Sequence, residues 1–357
     1  MPATITSPSS TRSRLRTAAL ACALAAVCSG AAANSARAFE IAVQDDSTFL
    51  YGNGYPRERA FQQARQIGAS VLRVNLIWAD FVRLGWRPYD SVVDRARRSG
   101  LRVQFTLMGT PKFYDRRASR LLSWKSPSAA RAGAFAGAVA GHFRGQGLRY
   151  SIWNEPNLSY YLEPQSRAPT LYRNLYRASY DAIKAVDPSA QVLYGELYSG
   201  NVRGRGGTAP LTFLARATGG LRADGFAYHP FQFNFGPFQR NRRYVALSSV
   251  SAIRSTLRRL ARSGRLRTAG GGTLPIYFTE FGYQVKGSWV LKPERKRANW
   301  TVAAFQLAKR SGVRSMLYYH LVRSYNRRWD TGIVTSGGSL MAPFTALMRA
   351  RRGLVGF

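Results

Sequence analysis

Only 17 of the 357 residues are Asp or Glu, so a carboxylate that closes an apolar run stands out. Glu155 does so in WNEPN, residues 153–157, and Glu280 does so in YFTEFGY, residues 277–283. Two carboxyl groups about 5–5.5 Å apart can cleave an acetal bond by double displacement. One attacks the acetal carbon. The other, held protonated, gives its proton to the departing oxygen and then activates water. A single carboxylate cannot do both. Taken alone, WNEPN is equally a turn in which Asn154 and Glu155 cap a helix ahead of Pro156. Glu196, a third carboxylate at the end of an apolar run, reads as a partner for an arginine. The three histidines lack metal-ligand spacing, so no metal and no cofactor is expected.

Whether Glu155 and Glu280 can meet depends on the elements that carry them. Eight short β-branched or aromatic runs punctuate the chain. They are FEIAVQ from Phe39, VLRVNLIW from Val71, LRVQFTLMG from Leu101, LRYSIW from Leu148, QVLYGEL from Gln191, DGFAYHPF from Asp224, PIYFTEFG from Pro275 and VRSMLYYHL from Val313. Between them lie helical patterns such as PRERAFQQARQIG and APTLYRNLYRASYDAIKAVDP, many opened by Ser or Pro and closed by Gly or Pro. Eight strand-then-helix units with no linker predict an α/β fold, a single-domain (β/α)8 TIM barrel over residues 39–357. The first strand runs into DDSTFLYGNG, which lacks the Gly-rich pattern of an open dinucleotide-binding sheet. In a closed barrel, strands four and seven face each other across the mouth, and chemistry sits at the strand ends.

WNEPN on strand four and TEFG on strand seven resemble the clan A glycoside hydrolases. Within that clan WNEPNL is most similar to family 39, with family 5 the nearest competitor. The resemblance runs over residues 39–357 as a pattern of strands and motifs. It implies a retaining glycosidase acting on β-linked poly- or oligosaccharide, with Glu155 as acid/base and Glu280 as nucleophile. Asn154 would bond the sugar 2-hydroxyl, and Arg73 on strand two would hold the nucleophile ionised. His229 stands where the clan often places a His or Tyr beside the nucleophile. Many relatives end strand eight with a tryptophan that stacks under the sugar; here Tyr318, Tyr319 or His320 must serve. Trp78 and Tyr283 are further candidates for sugar contact. They belong to loop aromatics that include Trp86, TPKFY, Tyr160, Tyr161, Trp289 and Trp329, because sugars present apolar C–H faces. The alternative function is a barrel that binds cell-envelope glycan without cleaving it.

The first 38 residues have the layout of a secretory signal peptide. Arg12, Arg14 and Arg16 precede an apolar stretch from about Ala18 to Val27, and Ala36-Arg37-Ala38 offers a small-x-small cleavage site. The apolar stretch is too short to span a bilayer. Cleavage would remove Cys22 and Cys28, leaving a secreted or cell-surface chain with no cysteine and no transmembrane segment. Lys and Arg number 53, for a net charge of +36. Spread along helices and loops, these cations read as a solvated surface. They also suit anionic glycan or an envelope surface, rather than nucleic acid.

Overall fold

The computed structural model describes residues 38–111, 124–201, 206–286, 290–291, 293–323 and 329–355. Residues 1–37, which make up all but the last position of the expected signal peptide, lie outside the described residues, as do Phe113, Tyr114 and Trp289. Residues Phe39–Phe357 form one compact unit.

Eight strands, β1 (Glu40–Gln44), β2 (Ala69–Ile77), β3 (Arg102–Met108), β4 (Arg149–Ile152), β5 (Gln191–Tyr198), β6 (Gly225–His229), β7 (Ile276–Phe278) and β8 (Ser315–Tyr319), close into a barrel in that order. Every ladder is parallel, and β1 seals against β8 from Glu40–Ser315 to Gln44–Tyr319. A major helix follows each strand: α1 (Arg57–Gln66), α2 (Arg87–Arg98), α3 (Ala129–His142), α4 (Ala168–Val186), α5 (Pro210–Arg216), α6 (Val250–Arg262), α7 (Glu294–Arg310) and α8 (Ala342–Val355). The predicted (β/α)8 barrel is therefore the observed fold.

Local signals explain where the helices begin. Ser128 caps α3 by accepting the Arg131 amide at 3.4 Å, and Pro169 sits in the first turn of α4. These two helices pack closely through small residues. A Cβ on Gly133 would stand 2.9 Å from the Ala178 carbonyl oxygen. β7, in the PIYFTEFG run, is the shortest of the eight barrel strands. Its ladder pattern ends at Phe278, although Thr279 still donates to the Tyr228 carbonyl at 3.0 Å.

The apolar core lies between strands and helices, while the barrel interior is layered by chemistry. Its middle holds two small apolar clusters, Ala42–Val71–Leu317 and Leu193–Ala227–Tyr277. The N-terminal end is closed by Arg149, which reaches Glu40 at 2.8 and 3.0 Å and Gln191 at 2.7 Å and lies 4.6 Å over the Tyr277 ring. The C-terminal end is lined by Gln44, Arg73, Ser151, Glu196 and His229, all buried. Stability sits at the bottom and middle layers; polar chemistry collects at the top.

Candidate active site

Strand periodicity aims Arg73 of β2 inward, two positions along from Val71. Its guanidinium, fully buried, donates to four side chains from around the mouth. Nη1 reaches Glu280 Oε1 at 2.6 Å and also Gln44, while Nη2 reaches Asn154 Oδ1 at 2.9 Å and Glu196 Oε2 at 3.0 Å. The planar donor fork lets one residue orient the nucleophile candidate, the neighbour of the acid candidate and a third carboxylate together.

WNEPN is a contorted turn. Trp153 and Glu155 both hold left-handed backbone, with φ of 69° and 39°. Pro156 disfavours the right-handed helical region for Glu155, so the chain leaves β4 through a turn that ends in the mouth. Trp153 is anchored behind it, donating from Nε1 to the Tyr161 carbonyl at 3.2 Å and meeting Trp124 edge-on. Asn157 pins the far side by donating to the Tyr198 and Thr208 carbonyls, both at 3.1 Å. Glu196 also has a positive φ, 52°, at a register shift between Gly195 and Leu197 in the β5–β6 ladder. Such a bulge re-aims a side chain. Gly195 is required beside it, because its φ is +123° and a Cβ there would run into the Ala227 carbonyl.

These devices bring Glu155, Glu280, Asn154, Arg73 and His229 together. One oxygen of Glu155, one of Glu280 and a nitrogen of His229 lie within 4.8 Å of one another. His229 Nδ1 is 2.9 Å from Glu155 Oε1 and 3.7 Å from Glu280 Oε2, and Nε2 is 2.5 Å from Glu196 Oε2. Burial pushes the Glu155 carboxyl above the ordinary carboxylate range, with the Glu280 charge adding to the rise against the pull of His229 and Arg73. Burial works against the charge of Glu196 too, but Arg73 and His229 hold it down at about 2. His229 loses basicity to burial and regains more from Glu280, Glu155 and Glu196, which raise it to about 10.

Among the described residues, Glu155, His229 and Glu280 are also the one set with the proximity to hold a metal ion. No motif in the sequence marks this set, because its members are separated by 51 to 125 positions. An imidazole whose two nitrogens both donate to carboxylates has no lone pair left for a metal.

The remaining candidates lie elsewhere. Trp78 stacks on Phe135 of α3, ring centroids 4.7 Å apart and 8° from parallel. Tyr283 is fully buried, donating to the Phe235 carbonyl at 3.3 Å and packing on Phe281 and Trp300. His320 follows Tyr319 through a cis peptide; its amide donates to Thr331 Oγ1 at 2.7 Å and its ring lies 3.6 Å from that of Tyr319. Tyr318 is buried against Arg297 and the Thr331 carbonyl. Of the strand-eight trio, Tyr319 is the most exposed residue. It faces Phe231 and Trp329, at 6.5 and 6.4 Å, in an aromatic cluster that includes Phe233. Thr279 and Gln104, which no sequence motif singles out, donate to Glu196 at 2.9 and 3.4 Å, and Tyr161 stands out in the sequence only as a loop aromatic. Burial raises the Tyr161 phenol, and the charges of Glu155 and Glu280 add to that rise. Inward alternation on β3 was the available signal for Gln104.

No protein-family model and no curated protein sequence matches the chain. Solved structures do. A family 39 glycoside hydrolase from Bacteroides cellulosilyticus WH2 superposes with a TM-score of 0.64 at 15% identity, over 90% of this chain and 65% of the other. A glucosidase from Croceicoccus marinus gives 0.64 at 14%, over 89% of this chain and 68% of the other. A family 5 xyloglucanase from Paenibacillus pabuli gives 0.61 at 12%, over 89% and 100%. At these identities the likeness shows a shared barrel. The chain spans just under two thirds of the length of the first of these proteins.

Proposed function

We propose that this protein is a retaining glycoside hydrolase acting on β-linked poly- or oligosaccharide. The observation that carries the reading is the approach of Glu155 and Glu280, with oxygens within 4.8 Å on opposite sides of the barrel mouth. That approach fits the close carboxyl pair of about 5–5.5 Å used for double displacement, and is short of the roughly 6.5–9.5 Å that leaves room for an inverting water. The glycoside hydrolases among the structural relatives lend the reading support by likeness of fold.

In this reading Glu280, held by Arg73 at 2.6 Å, attacks the anomeric carbon. Glu155, raised by burial, gives its proton to the leaving oxygen and then deprotonates the water that releases the glycosyl-enzyme. Asn154 accepts from Arg73 through Oδ1, which leaves Nδ2 as the donor that would serve the sugar 2-hydroxyl. Export by removal of residues 1–38 and contact with anionic envelope glycan complete the proposal; the surplus of Lys and Arg supports the latter. Among the described residues no helix is long and apolar enough to cross a membrane.

A panel of activated aryl β-glycosides, with Glu280→Gln as the control, tests the reading. Hydrolysis lost in the variant supports it. Binding of glycan with no turnover by either chain replaces it with the non-catalytic barrel.

A further inference from the structure

Glu196 takes no part in the two-glutamate reaction, yet it is the most completely enclosed carboxylate of the site. Its side chain has no exposed surface. Its Oε2 accepts from Arg73 Nη2 at 3.0 Å, Thr279 Oγ1 at 2.9 Å and His229 Nε2 at 2.5 Å, and its Oε1 accepts from Gln104 Nε2 at 3.4 Å. A carboxylate surrounded by donors keeps its charge. It therefore demands a proton on His229 Nε2, and that demand fixes the ring with Nδ1 against Glu155. The backbone reinforces the same link. The Glu155 amide donates to the Glu196 carbonyl at 2.9 Å, so one residue of β5 holds both the main chain and, through the imidazole, the carboxyl of Glu155.

We propose that Glu196 is a positioning residue that governs the acid proton of Glu155 by holding His229 as an imidazolium between them. The assignment deepens the glycosidase reading and rests on it for the role of Glu155. The Glu155–His229 contact then acts as a dyad that shares its proton, and its titration belongs to the pair.

The direction of the effect follows from the groups that face the dyad. His229 meets Glu155 at the end of β4, Glu196 on β5 and Glu280 after β7. Glu155 also feels Arg73 from β2, and the phenols of Tyr161 and Tyr198 stand close enough to feel Glu155. An imidazolium at 2.9 Å favours the ionised form of Glu155. Neutralising Glu196 lets His229 release its second proton at lower pH, and Glu155 then loses the adjacent cation and keeps its own proton to higher pH. The charge removed from Glu196 acts in the opposite sense on Glu155. It is the weaker effect, because the His229 ring lies between the two carboxyls and in contact with Glu155.

The test uses the full chain, whose three histidines make the ring spectrum tractable. Long-range proton–nitrogen NMR follows His229 from pH 5 to 10, and carboxyl carbon shifts follow Glu155, in the parent, Glu196→Gln and Glu196→Asp. In the parent, both His229 nitrogens should be protonated at pH 7. In Glu196→Gln, His229 should titrate lower by about one unit or more, and Glu155 should titrate higher by about half a unit or more. The alkaline limb of kcat/KM for an uncharged aryl glycoside should follow Glu155 upward. Glu196→Asp, which keeps the charge, should restore part of each shift. A neutral His229 in the parent at pH 7 overturns the proposal even where Glu196→Gln does not fold. So does a Glu196→Gln chain whose His229 and Glu155 titrate as in the parent. If the parent cleaves no glycoside, the glycosidase reading fails, while the two titrations still decide whether Glu196 controls the dyad.

Discussion

The Glu155 amide donates to the Glu196 carbonyl at 2.9 Å, and both residues hold left-handed backbone, with φ of 39° and 52°. Positive φ at a non-glycine residue costs on the order of 1–3 kcal/mol. Trp153 adds a third such residue to the same mouth. The strain is concentrated where the two carboxyl groups are brought inward, and the buried Arg73 network around it holds those positions against relaxation.

Replacing Glu280 by Gln should abolish turnover and leave the thermal transition nearly in place, because the buried Arg73 keeps Glu196 as its charged partner and the amide oxygen can still accept from it. Azide should partly restore cleavage of an activated aryl glycoside by Glu280→Gly, giving a product of inverted anomeric configuration. In the parent, proton NMR during the first turnovers should show retention. An inverted first product would falsify double displacement.

Glu155→Gln should lower kcat by about 10²–10⁴-fold on substrates with poor leaving groups, the usual range for general acid–base catalysis. With a dinitrophenyl leaving group the first step needs no proton, so glycosyl-enzyme should accumulate. Mass spectrometry of the quenched reaction would detect it. Equal losses on both substrate types would remove Glu155 from the acid role.

Burial raises the Glu155 carboxyl, so its acid form persists above the ordinary glutamate value of about 4.3 and activity is lost only when pH rises past that shifted point. The alkaline limb of kcat/KM should accordingly lie above that ordinary glutamate value. Cations on the solvent face of the outer helices are screened over a Debye length of about 10 Å at 0.1 M salt, so added salt should move the limb by only a few tenths of a unit. A limb at or below the ordinary glutamate value that climbs by a full unit in high salt would show the distant field in control.

At the opposite end of the barrel, Glu40→Gln strips the buried Arg149 of its charged partner. Breaking one side of a buried pair costs about 3–5 kcal/mol, so urea denaturation should show a loss of that order. Arg149→Met, which removes the charge together with its need for a partner, should cost less. The kcat of the folded fraction should stay unchanged in both, since neither residue reaches the mouth.

All eight strands were readable because each is a short apolar run bounded by Gly, Pro or charged residues, and their number forces closure. Glu155 and Glu280 stood out because acids are scarce and both end such runs. Other features depended on contacts distant in sequence. The link from Glu196 to His229 spans 33 positions and depends on a bulge that Gly195 hints at but does not announce. Trp78 and Tyr283 have the right type and the right strand ends for sugar contact, yet their rings turn into helix packing. Strand position alone does not tell which way a residue just past the ladder will point.

Arg73 works as a caliper on the barrel. Its acceptors Gln44, Asn154, Glu196 and Glu280 come from β1, the β4 end, β5 and the β7 end, so a single planar group spans the cross-section of the mouth. A change of strand number or shear would carry those acceptors beyond the reach of one guanidinium. The site and the girth of the barrel are therefore gauged by the same side chain. Transplanting the two glutamates onto another barrel would carry over their chemistry only if the recipient's interior matched this caliper as well.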